Sequence, residues 1–318
     1  MPVISHESVR RDTGTPEAIA SHGAYEARLY SDTGGLTQFG AFIEELAPGS
    51  RSSNRHWHEA QDEFLWMLTG EATLHENRGS TLLRPGAAVA WPMGVANAHC
   101  LENTSDAPCS YLIVGTRGGD DVVHYPDHGE KKLIPEGGAR QMLPEDVPAP
   151  ADLPSAVLDL AAAPVKTGSI YPEPYAAMMA GRASLRLGQM GGLTQFGANL
   201  VTLQPGAVGS LRHWHEREDE FLIVTEGALV LVDDAGENPM APGDIAAFPA
   251  GEANGHHMTN PSEAPASFLV IGTKAPSEVA HYADHDFRIE IEGSNARFTY
   301  RDGSPWNGLR RAEKGDTA

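Results

Sequence analysis

Apolar residues occur along the chain in short runs separated by Gly, Pro, Asn and Asp, and few of them repeat with the period of a helix. Short runs joined by tight turns are typical of an antiparallel barrel or sandwich. The pattern therefore predicts an all-β protein. The clearest runs in the first half are residues 40–46, 63–68, 87–91 and 111–115, and the turns between them contain Pro48-Gly49, Gly70, Pro85-Gly86 and Pro108.

The same pattern appears twice. Residues 31–130 align with residues 188–287 at a constant offset of 157, with 45 of 100 positions identical and no insertion or deletion. An ungapped repeat of this length indicates two copies of one domain. The 318 residues are enough for two domains that each bury a core of their own.

This repeat sets the predicted domain boundaries. The first domain spans residues 1–130 and the second spans residues 171–309. Residues 131–170 are rich in Pro and Ala, and they predict a linker with a short helix at 155–162. Residues 310–318 are charged and small, which predicts a flexible tail.

Composition narrows the class of partner. The formal charge of −20 disfavours binding to nucleic acid or to anionic lipid, because both depend mainly on cationic patches. The first residues lack the pattern of a secretory signal, and no apolar run is long enough to span a membrane, so a cytoplasmic protein is expected. Cys100 and Cys109 have no cysteine counterparts in the second copy, which predicts two free thiols.

Identical positions in the two copies include His and Glu residues at fixed spacing. His56 and His58 are separated by one residue, and Glu63 follows after a turn. Side chains two apart on a strand share a face, so both imidazoles point into the same space. Glu63 is expected on a neighbouring strand, where its carboxylate can approach both. The second copy repeats this set as His213, His215 and Glu220.

A second block of identical residues lies downstream. It reads Pro92-Met93-Gly94, Asn97 and His99 in the first copy, and Pro249-Ala250-Gly251, Asn254 and His256 in the second. A ligand from this distant segment would complete a metal site of three imidazoles and one carboxylate. Such a set leaves about two coordination positions open on an octahedral ion, which is typical of catalytic rather than structural sites.

Together the two blocks resemble the signature motifs of the cupin superfamily. The resemblance covers about 100 residues in each half and is complete in both. It implies a duplicated protein, or bicupin, made of two tandem cupin barrels with the jelly-roll (double-stranded β-helix) fold. It also implies two metal sites, whose ligands are His56, His58, Glu63 and His99 in the first domain and His213, His215, Glu220 and His256 in the second.

The chain departs from the usual second motif at one point. The motif places its His three residues after the Gly, whereas here that position is Asn97 or Asn254 and the His lies two residues later. A shift of two preserves the inward direction of the side chain. The asparagines on the same face become candidates for second-shell or substrate contacts. Gln38 and Gln195, polar residues within apolar strands, are further candidates, with a backbone or water partner as the alternative.

Another repeated segment is His124-Tyr125-x-Asp127-His128, which recurs as His281-Tyr282-x-Asp284-His285. It is compatible with a second metal site or with hydrogen bonds that fasten a segment crossing the barrel. The second interpretation is favoured, because the segment follows the last strand of the repeat.

The leading functional hypothesis is a metal-dependent oxygenase that acts on a small, partly apolar organic molecule, with an aromatic compound or a β-dicarbonyl as examples. Two alternatives stay open. One is a non-redox isomerase, lyase or hydrolase, and the other is a metal-containing protein that binds or senses a small molecule. Met67 and Met93 align with the smaller residues Val224 and Ala250. The second pocket is therefore expected to be roomier and to carry most of the chemistry.

The expected cofactor is a divalent metal at two sites. Iron is favoured, and Mn, Zn, Ni or Cu would also fit, because ligand identity alone does not name the metal. A small-molecule substrate is the expected partner, and the resemblance implies further homo-oligomers, although no residue specifies an interface. The sequence assigns no catalytic residue beyond the metal ligands.

Overall fold

The computed structural model describes residues 2–145 and 153–307, which divide into two compact units. The N-terminal unit comprises Ile4–Ala163 together with Arg186–Ala198. The C-terminal unit comprises Pro164–Leu185, residues 199–307 and residues 2–3. Residues 2–3 belong to the C-terminal unit because Val3 forms a bridge with Ala246.

Strands dominate both halves of the chain, as their β-branched and aromatic residues favour. The elements up to residue 145 are β1 (Arg11–Asp12), α1 (Pro16–His22), β2 (Tyr25–Leu29), α2 (Tyr30–Thr33), β3 (Phe39–Leu46), β4 (Trp57–His58), β5 (Glu63–Thr69), β6 (Ala72–Glu76), β7 (Gly79–Leu83), β8 (Ala88–Trp91), β9 (Cys100–Glu102), β10 (Cys109–Thr116), β11 (Asp121–Tyr125), β12 (Glu130–Ile134) and β13 (Gln141–Pro144).

The remaining elements repeat this order. They are β14 (Val165–Thr167), α3 (Tyr175–Met178), β15 (Arg182–Leu185), α4 (Leu187–Met190), β16 (Phe196–Leu203), β17 (His213–His215), β18 (Glu220–Glu226), β19 (Leu229–Asp233), β20 (Gly236–Met240), β21 (Ile245–Phe248), β22 (His257–Thr259), β23 (Ala266–Thr273), β24 (Ser277–Tyr282), β25 (Arg288–Glu292) and β26 (Asn295–Thr299). None of the described helices is long and apolar enough to span a membrane.

The described strands of the first half form three antiparallel sheets. Their strand orders are β1-β2-β3-β10-β5-β8, β7-β6-β9 and β13-β12-β11-β4. The second half repeats the orders as β14-β15-β16-β23-β18-β21, β20-β19-β22 and β17-β24-β25-β26. The predicted fold class, all-β with two tandem cupin barrels, is confirmed.

Each barrel interior is lined by alternate residues of the large sheet. In the first, Leu65 and Met67 belong to a core of fully buried apolar side chains that also includes Tyr111. Tyr111 lies opposite Glu44 on β3, and its hydroxyl donates a hydrogen bond of 2.6 Å to the Glu44 carboxylate. In the second barrel, the core contains Val201 and Phe268.

The prediction of a linker over 131–170 is wrong for much of its length. β12 and β13 pair with β11 and extend its sheet, as β25 and β26 do with β24. No helix forms at 155–162; instead Val157 forms a bridge with Val89 at the edge of the large sheet. Backbone groups at a sheet edge need partners, and this segment supplies them. The predicted tail at 310–318 lies outside the described residues.

Candidate metal centres

Three separate strand regions bring the predicted ligands of the N-terminal unit together. His58 lies on β4, and His56 directly precedes that strand. Glu63 begins β5, and His99 directly precedes β9. The backbones of His56 and His99 exchange two hydrogen bonds, of 3.1 and 2.9 Å, which holds the second motif against the first.

The four side chains converge on one point. His99 Nε2 lies 3.0 Å from Glu63 Oε2, and His58 Nε2 lies 3.8 Å from Glu63 Oε1. The ring centroid of His56 is 5.2 Å from that of His58 and 5.1 Å from that of His99. Ligand atoms of His56, Glu63 and His99 all lie within 4.8 Å of one another. This spacing fits one metal ion held between them.

The other ring nitrogen of each histidine already has a partner. His56 Nδ1 lies 3.0 Å from the Asn54 carbonyl, and His99 Nδ1 lies 3.1 Å from the Asn97 carbonyl. His58 Nδ1 lies 2.6 Å from a carboxylate oxygen of Asp121. Because carbonyl and carboxylate oxygens only accept, each Nδ1 donates its proton, and each Nε2 is left as a lone pair directed at the centre.

Electrostatics favour the same protonation pattern at His56 and Glu63, whereas at His58 burial lowers the pKa but Glu63 and Asp121 outweigh it and raise that pKa. Burial, together with the charges of His99 and His58, lowers the pKa of His56 to about 4, although Glu63 opposes this shift. Burial also disfavours ionisation of Glu63, but His58 and His99 outweigh it and hold the pKa of Glu63 below its ordinary value. A neutral imidazole and an ionised carboxylate are the forms that bind metal.

The C-terminal unit repeats the arrangement. His256 Nε2 lies 3.1 Å and His215 Nε2 lies 3.6 Å from Glu220 carboxylate oxygens. The ring centroid of His213 is 5.0 Å from that of His215 and 5.1 Å from that of His256. His213, Glu220 and His256 again form a group with ligand atoms within 4.8 Å of one another. In both units, all four predicted ligands therefore lie together.

One orienting contact differs between the units. Asp121 aligns with Glu278, whose carboxylate lies 3.6 Å from His215 Nδ1. His215 Nδ1 forms no hydrogen bond within the described chain. Both oxygens of Glu278 instead accept backbone N–H groups, of Glu216 at 2.8 Å and Arg217 at 2.9 Å. Burial lowers the pKa of His215, but Glu220 and Glu278 outweigh it and raise that pKa to about 10.

An aromatic side chain covers one face of the last ligand in each unit. Trp91 stacks on His99 with a centroid distance of 3.8 Å, and Phe248 stacks on His256 at 3.4 Å. Tyr125 lies beside His56 at 5.9 Å, as Tyr282 lies beside His213 at 6.4 Å. Stacking fixes the plane of an imidazole and so preorganises the donor set.

Two of the predicted polar residues contact the candidate metal ligands through their backbone carbonyls and not through their side chains. Asn97 and Asn254 orient His99 and His256 through their carbonyl groups. Their side chains bind elsewhere: Asn97 Nδ2 donates to Glu76 at 2.7 Å, and Asn254 Oδ1 accepts the Asp234 N–H at 3.1 Å. A substrate contact by these two amides is therefore not supported by the geometry, because the described contacts direct them to neighbouring turns.

Gln195 belongs to the N-terminal unit, although its sequence position suggested the second site. Its side chain accepts the Asp62 N–H at 2.8 Å and donates to the Ala60 carbonyl at 2.9 Å. It fastens the turn before Glu63. The carbonyl of Gln38 accepts the Arg117 N–H at 2.9 Å, and a substrate contact by its side chain stays a prediction.

The repeated His-Tyr-x-Asp-His segment has a structural role in the described contacts. His124 stacks on Trp57 at 4.0 Å, and its ring nitrogens lie 2.8 Å from Glu59 and 2.5 Å from Glu145. Asp127 accepts two hydrogen bonds from Arg55. These contacts fasten the segment across the outside of the sheet, as the favoured interpretation predicts.

Both halves of the chain match the family model for the cupin domain, over residues 42–115 and 199–272. The oxalate decarboxylase of Lactobacillus farciminis, in a formate complex, is 15% identical; the match covers 89% of each chain with a TM-score of 0.53. A deletion mutant of the Bacillus subtilis oxalate decarboxylase is 16% identical, with 89% of this chain and 80% of that chain covered and a TM-score of 0.51.

A sugar phosphate isomerase of the cupin superfamily from Silicibacter pomeroyi DSS-3 is 57% identical; the match covers 48% of this chain and 96% of that chain, with a TM-score of 0.47. None of the curated proteins searched matched the chain. The two domain matches and the shared fold define a barrel protein of the cupin class. The chain belongs to the cupin superfamily and is a duplicated member of it.

Proposed function

We propose that this protein is a metal-dependent enzyme that acts on a small organic molecule. The observation that carries the proposal is the donor geometry: in both units three imidazoles turn their Nε2 atoms towards one carboxylate. Every Nδ1 of these rings except that of His215 has a hydrogen-bond partner among the described residues. The His58 and Glu63 side chains are still 13% and 15% exposed, so a small molecule can reach the centre from solvent.

A divalent ion held by this set supplies Lewis acidity and, if it is iron, manganese or copper, a route to dioxygen chemistry. The chain does the rest. His56, His58 and His99 hold the ion, while the ionised Glu63 lowers its net charge. The anchored rings keep this geometry fixed, and about two coordination positions are left for substrate and a second ligand. Iron is the metal proposed, with Mn, Zn, Ni and Cu as alternatives.

For the reaction class, we propose an oxygenase first. Apolar side chains line the barrel behind the metal position, among them the fully buried Leu65 and Met67. An apolar wall accepts an organic substrate and limits water near a reactive centre. A small, partly apolar substrate held against this wall would present its oxygen atoms to the ion.

A non-redox isomerase or lyase is the second candidate, and Tyr125 favours it. Its ring lies beside His56, and burial raises the pKa of its phenol above the ordinary value, which Glu63 reinforces and Arg140 opposes. A phenol that stays protonated at neutral pH can donate a proton to a substrate oxygen or carbon. Such a donor serves proton transfer with the metal acting only as a Lewis acid.

Metal reconstitution followed by oxygen measurement tests the proposal. The metal-free protein would be loaded with Fe(II), Mn(II), Zn(II) or Ni(II), and metal content measured by plasma mass spectrometry. We expect about two equivalents per chain, and the loss of one in His56→Ala/His58→Ala and in His213→Ala/His215→Ala. His75→Ala, which removes a histidine outside both centres, is the matched control and should keep both.

Turnover of aromatic, β-dicarbonyl and 2-oxo acid compounds would then be followed with an oxygen electrode. Oxygen consumed in step with product supports the oxygenase. Turnover without oxygen uptake supports the isomerase or lyase. Failure of every metal to bind after reconstitution overturns the enzyme proposal and leaves a protein that binds or senses a small molecule.

A further inference from the structure

The sheet that carries the His-x-His strand continues beyond the metal centre. In the N-terminal unit, His58 lies opposite Val123, Val123 opposite Lys132, and Lys132 opposite Met142. Directly opposed residues of antiparallel strands point to the same face of a sheet. Lys132 therefore lies on the face that carries the metal ligand His58, about 10 Å away at two strand spacings.

The same row of the C-terminal unit is apolar. His215 lies opposite Ala280, Ala280 opposite Ile289, and Ile289 opposite Phe298. Ile289 is 3% exposed and belongs to a buried cluster with Phe287 and Tyr282. We call this cluster the aromatic wall; its members are Met179, Leu211, Ala280, Tyr282, Phe287 and Ile289, with Tyr171, Tyr175, Phe298 and Trp306 packed against it.

Lys132 has no carboxylate partner among the residues that the structure describes, although it is half-buried. Burial lowers its pKa, and the nearby positive charge of Arg140 adds to this shift. Arg140 is exposed just before β13 and likewise forms no ion pair within the described ranges. Lys131, on the opposite face of β12, instead pairs with Glu145 at 3.4 Å.

The C-terminal unit neutralises two cations on the other face of its sheet, the face that does not carry Ile289. Arg288 and Arg297 both bind the Glu290 carboxylate, at 2.7 and 2.6 Å. Leu133 occupies the position of Glu290 in the first copy, and Lys131, the counterpart of Arg288, pairs with Glu145 instead. Glu130, the one acidic residue of β12, is on the Lys132 face and is exposed to solvent. Two cations without an ion-pair partner among the described residues, on the face that carries a candidate metal ligand, are unusual in a chain with a formal charge of −20.

We propose that the N-terminal centre binds a small oxyanion, a substrate carrying a carboxylate or a phosphate group that Lys132 and Arg140 hold next to the metal position. The C-terminal centre, with its aromatic wall, does not select for this charge. The inference rests on the proposed function, since it names the substrate class of one of the two metal centres. The expectation that the second domain does most of the chemistry stays a prediction.

The charge of Lys132 already reaches the metal ligands. It acts against protonation of His58, just as Arg140 favours ionisation of Tyr125. A bound anion would feel the same charges at similar range, and in a partly buried site they are weakly screened. Charge-assisted contacts of this kind contribute more than neutral hydrogen bonds, so removing one should weaken binding about tenfold.

The test uses full-length protein with one working centre. His213→Ala/His215→Ala leaves the N-terminal centre, and His56→Ala/His58→Ala leaves the C-terminal one. Each would be loaded with Co(II), whose visible absorption reports metal binding and changes when an anion joins the coordination sphere. Malonate and methyl phosphate are the two probes, because they separate a carboxylate from a phosphate. Dissociation constants would come from the absorption change and from calorimetry.

We expect at least one probe to bind the N-terminal centre more tightly than the C-terminal centre. Lys132→Met should weaken this binding about tenfold, whereas Lys131→Met, which removes the same charge from the opposite face, should leave it unchanged. Arg140→Met should have a smaller effect because the side chain is exposed.

Three results would overturn the inference. If Co(II) binds but neither anion does, the anion site fails while the metal-dependent function stands. If both lysine variants weaken binding equally, the effect is one of net charge and not of position. If Co(II) does not bind at all, the proposed function and the inference fail together.

Discussion

The two halves of this protein hold metal-ligand sets of the same kind in different surroundings. His56, His58, Glu63 and His99 are matched at the fixed offset by His213, His215, Glu220 and His256. Beyond these donors, the N-terminal unit presents Lys132 where the C-terminal unit presents Ile289. A duplicated domain can keep its metal chemistry while the copies diverge in what they bring to the metal.

The barrel interiors differ in the same direction. Glu44 and Tyr111 form a buried hydrogen-bonded pair in the N-terminal unit, and Val201 and Phe268 occupy these positions in the other. The N-terminal barrel thus has one polar pair in an otherwise apolar interior and a lysine along the sheet face, and the C-terminal barrel is apolar at these positions. We therefore expect the two centres to accept different substrates, because pocket walls of different polarity bind different molecules.

The largest effect should follow from opening the aromatic wall. Phe287 is 2% exposed and packs against Tyr282 and Tyr175 with centroid distances of 4.6 and 5.0 Å. Phe287→Ala should lower the free energy of unfolding by about 3–5 kcal/mol, the range for a deleted core aromatic. Glu130→Ala, at the equivalent exposed position, should change it by about 0.5 kcal/mol or less.

Denaturant titration of both variants measures the difference. Because the chain has two units, the transitions should be followed with more than one probe to separate their unfolding. Equal destabilisation by the two substitutions would mean that the two sheet faces are packed alike, and the comparison between the units would fail.

An intermediate effect should follow from the orienting carboxylates. Asp121 lies 2.6 Å from His58 Nδ1, whereas Glu278 stays 3.6 Å from His215 Nδ1 and binds two backbone N–H groups. Asp121→Asn should weaken metal binding at the N-terminal centre about 10–100-fold, as is usual for such partners of ligating histidines. Glu278→Gln should have a smaller effect at the C-terminal centre.

Competition with a chromophoric chelator, using the two single-centre proteins, gives both affinities. Equal losses would show that His215 depends on its carboxylate as much as His58 does. The longer distance in the C-terminal unit would then not describe the metal-loaded protein.

The candidate metal ligands could be predicted from sequence because the resemblance to the cupin motifs implies them and two regularities agree with it. Side chains two apart on a strand share a face, and the offset of 157 repeats every ligand. Asp121 and Lys132 escaped prediction because they reach His58 only through strand pairing. They lie 63 and 74 residues away from His58 along the chain, and the register of strand pairing cannot be deduced from the spacing of neighbouring residues.

The hairpin of β12 and β13 escaped prediction for a related reason. Its sequence is rich in charged residues, Gly and Pro, which favour loops, and it lies beyond the aligned repeat. Pairing with β11 overrides that local preference. This unpredicted hairpin carries Lys132, so the assignment of a linker also left out the residue that most distinguishes the two centres.

The smallest expected effect concerns the interior pair and its dependence on pH. Burial raises the pKa of Glu44 above its ordinary value, although the hydrogen bond from Tyr111 opposes the shift. An acid whose pKa is raised by folding holds its proton in the native state after the unfolded state has released it. Its contribution to stability is therefore complete in acid and is lost as the pH rises from the ordinary range of Glu through the raised value.

The double variant Glu44→Val/Tyr111→Phe copies the C-terminal unit and should remove this loss. We expect the difference in free energy of unfolding between variant and wild type to grow in favour of the variant between pH 5 and pH 8. Tyr111→Phe alone is the control: it leaves Glu44 without its donor and should destabilise the protein by about 1–3 kcal/mol. A difference that does not change with pH would mean that Glu44 ionises as freely as an exposed carboxyl, and the polar interior would then not distinguish the N-terminal barrel.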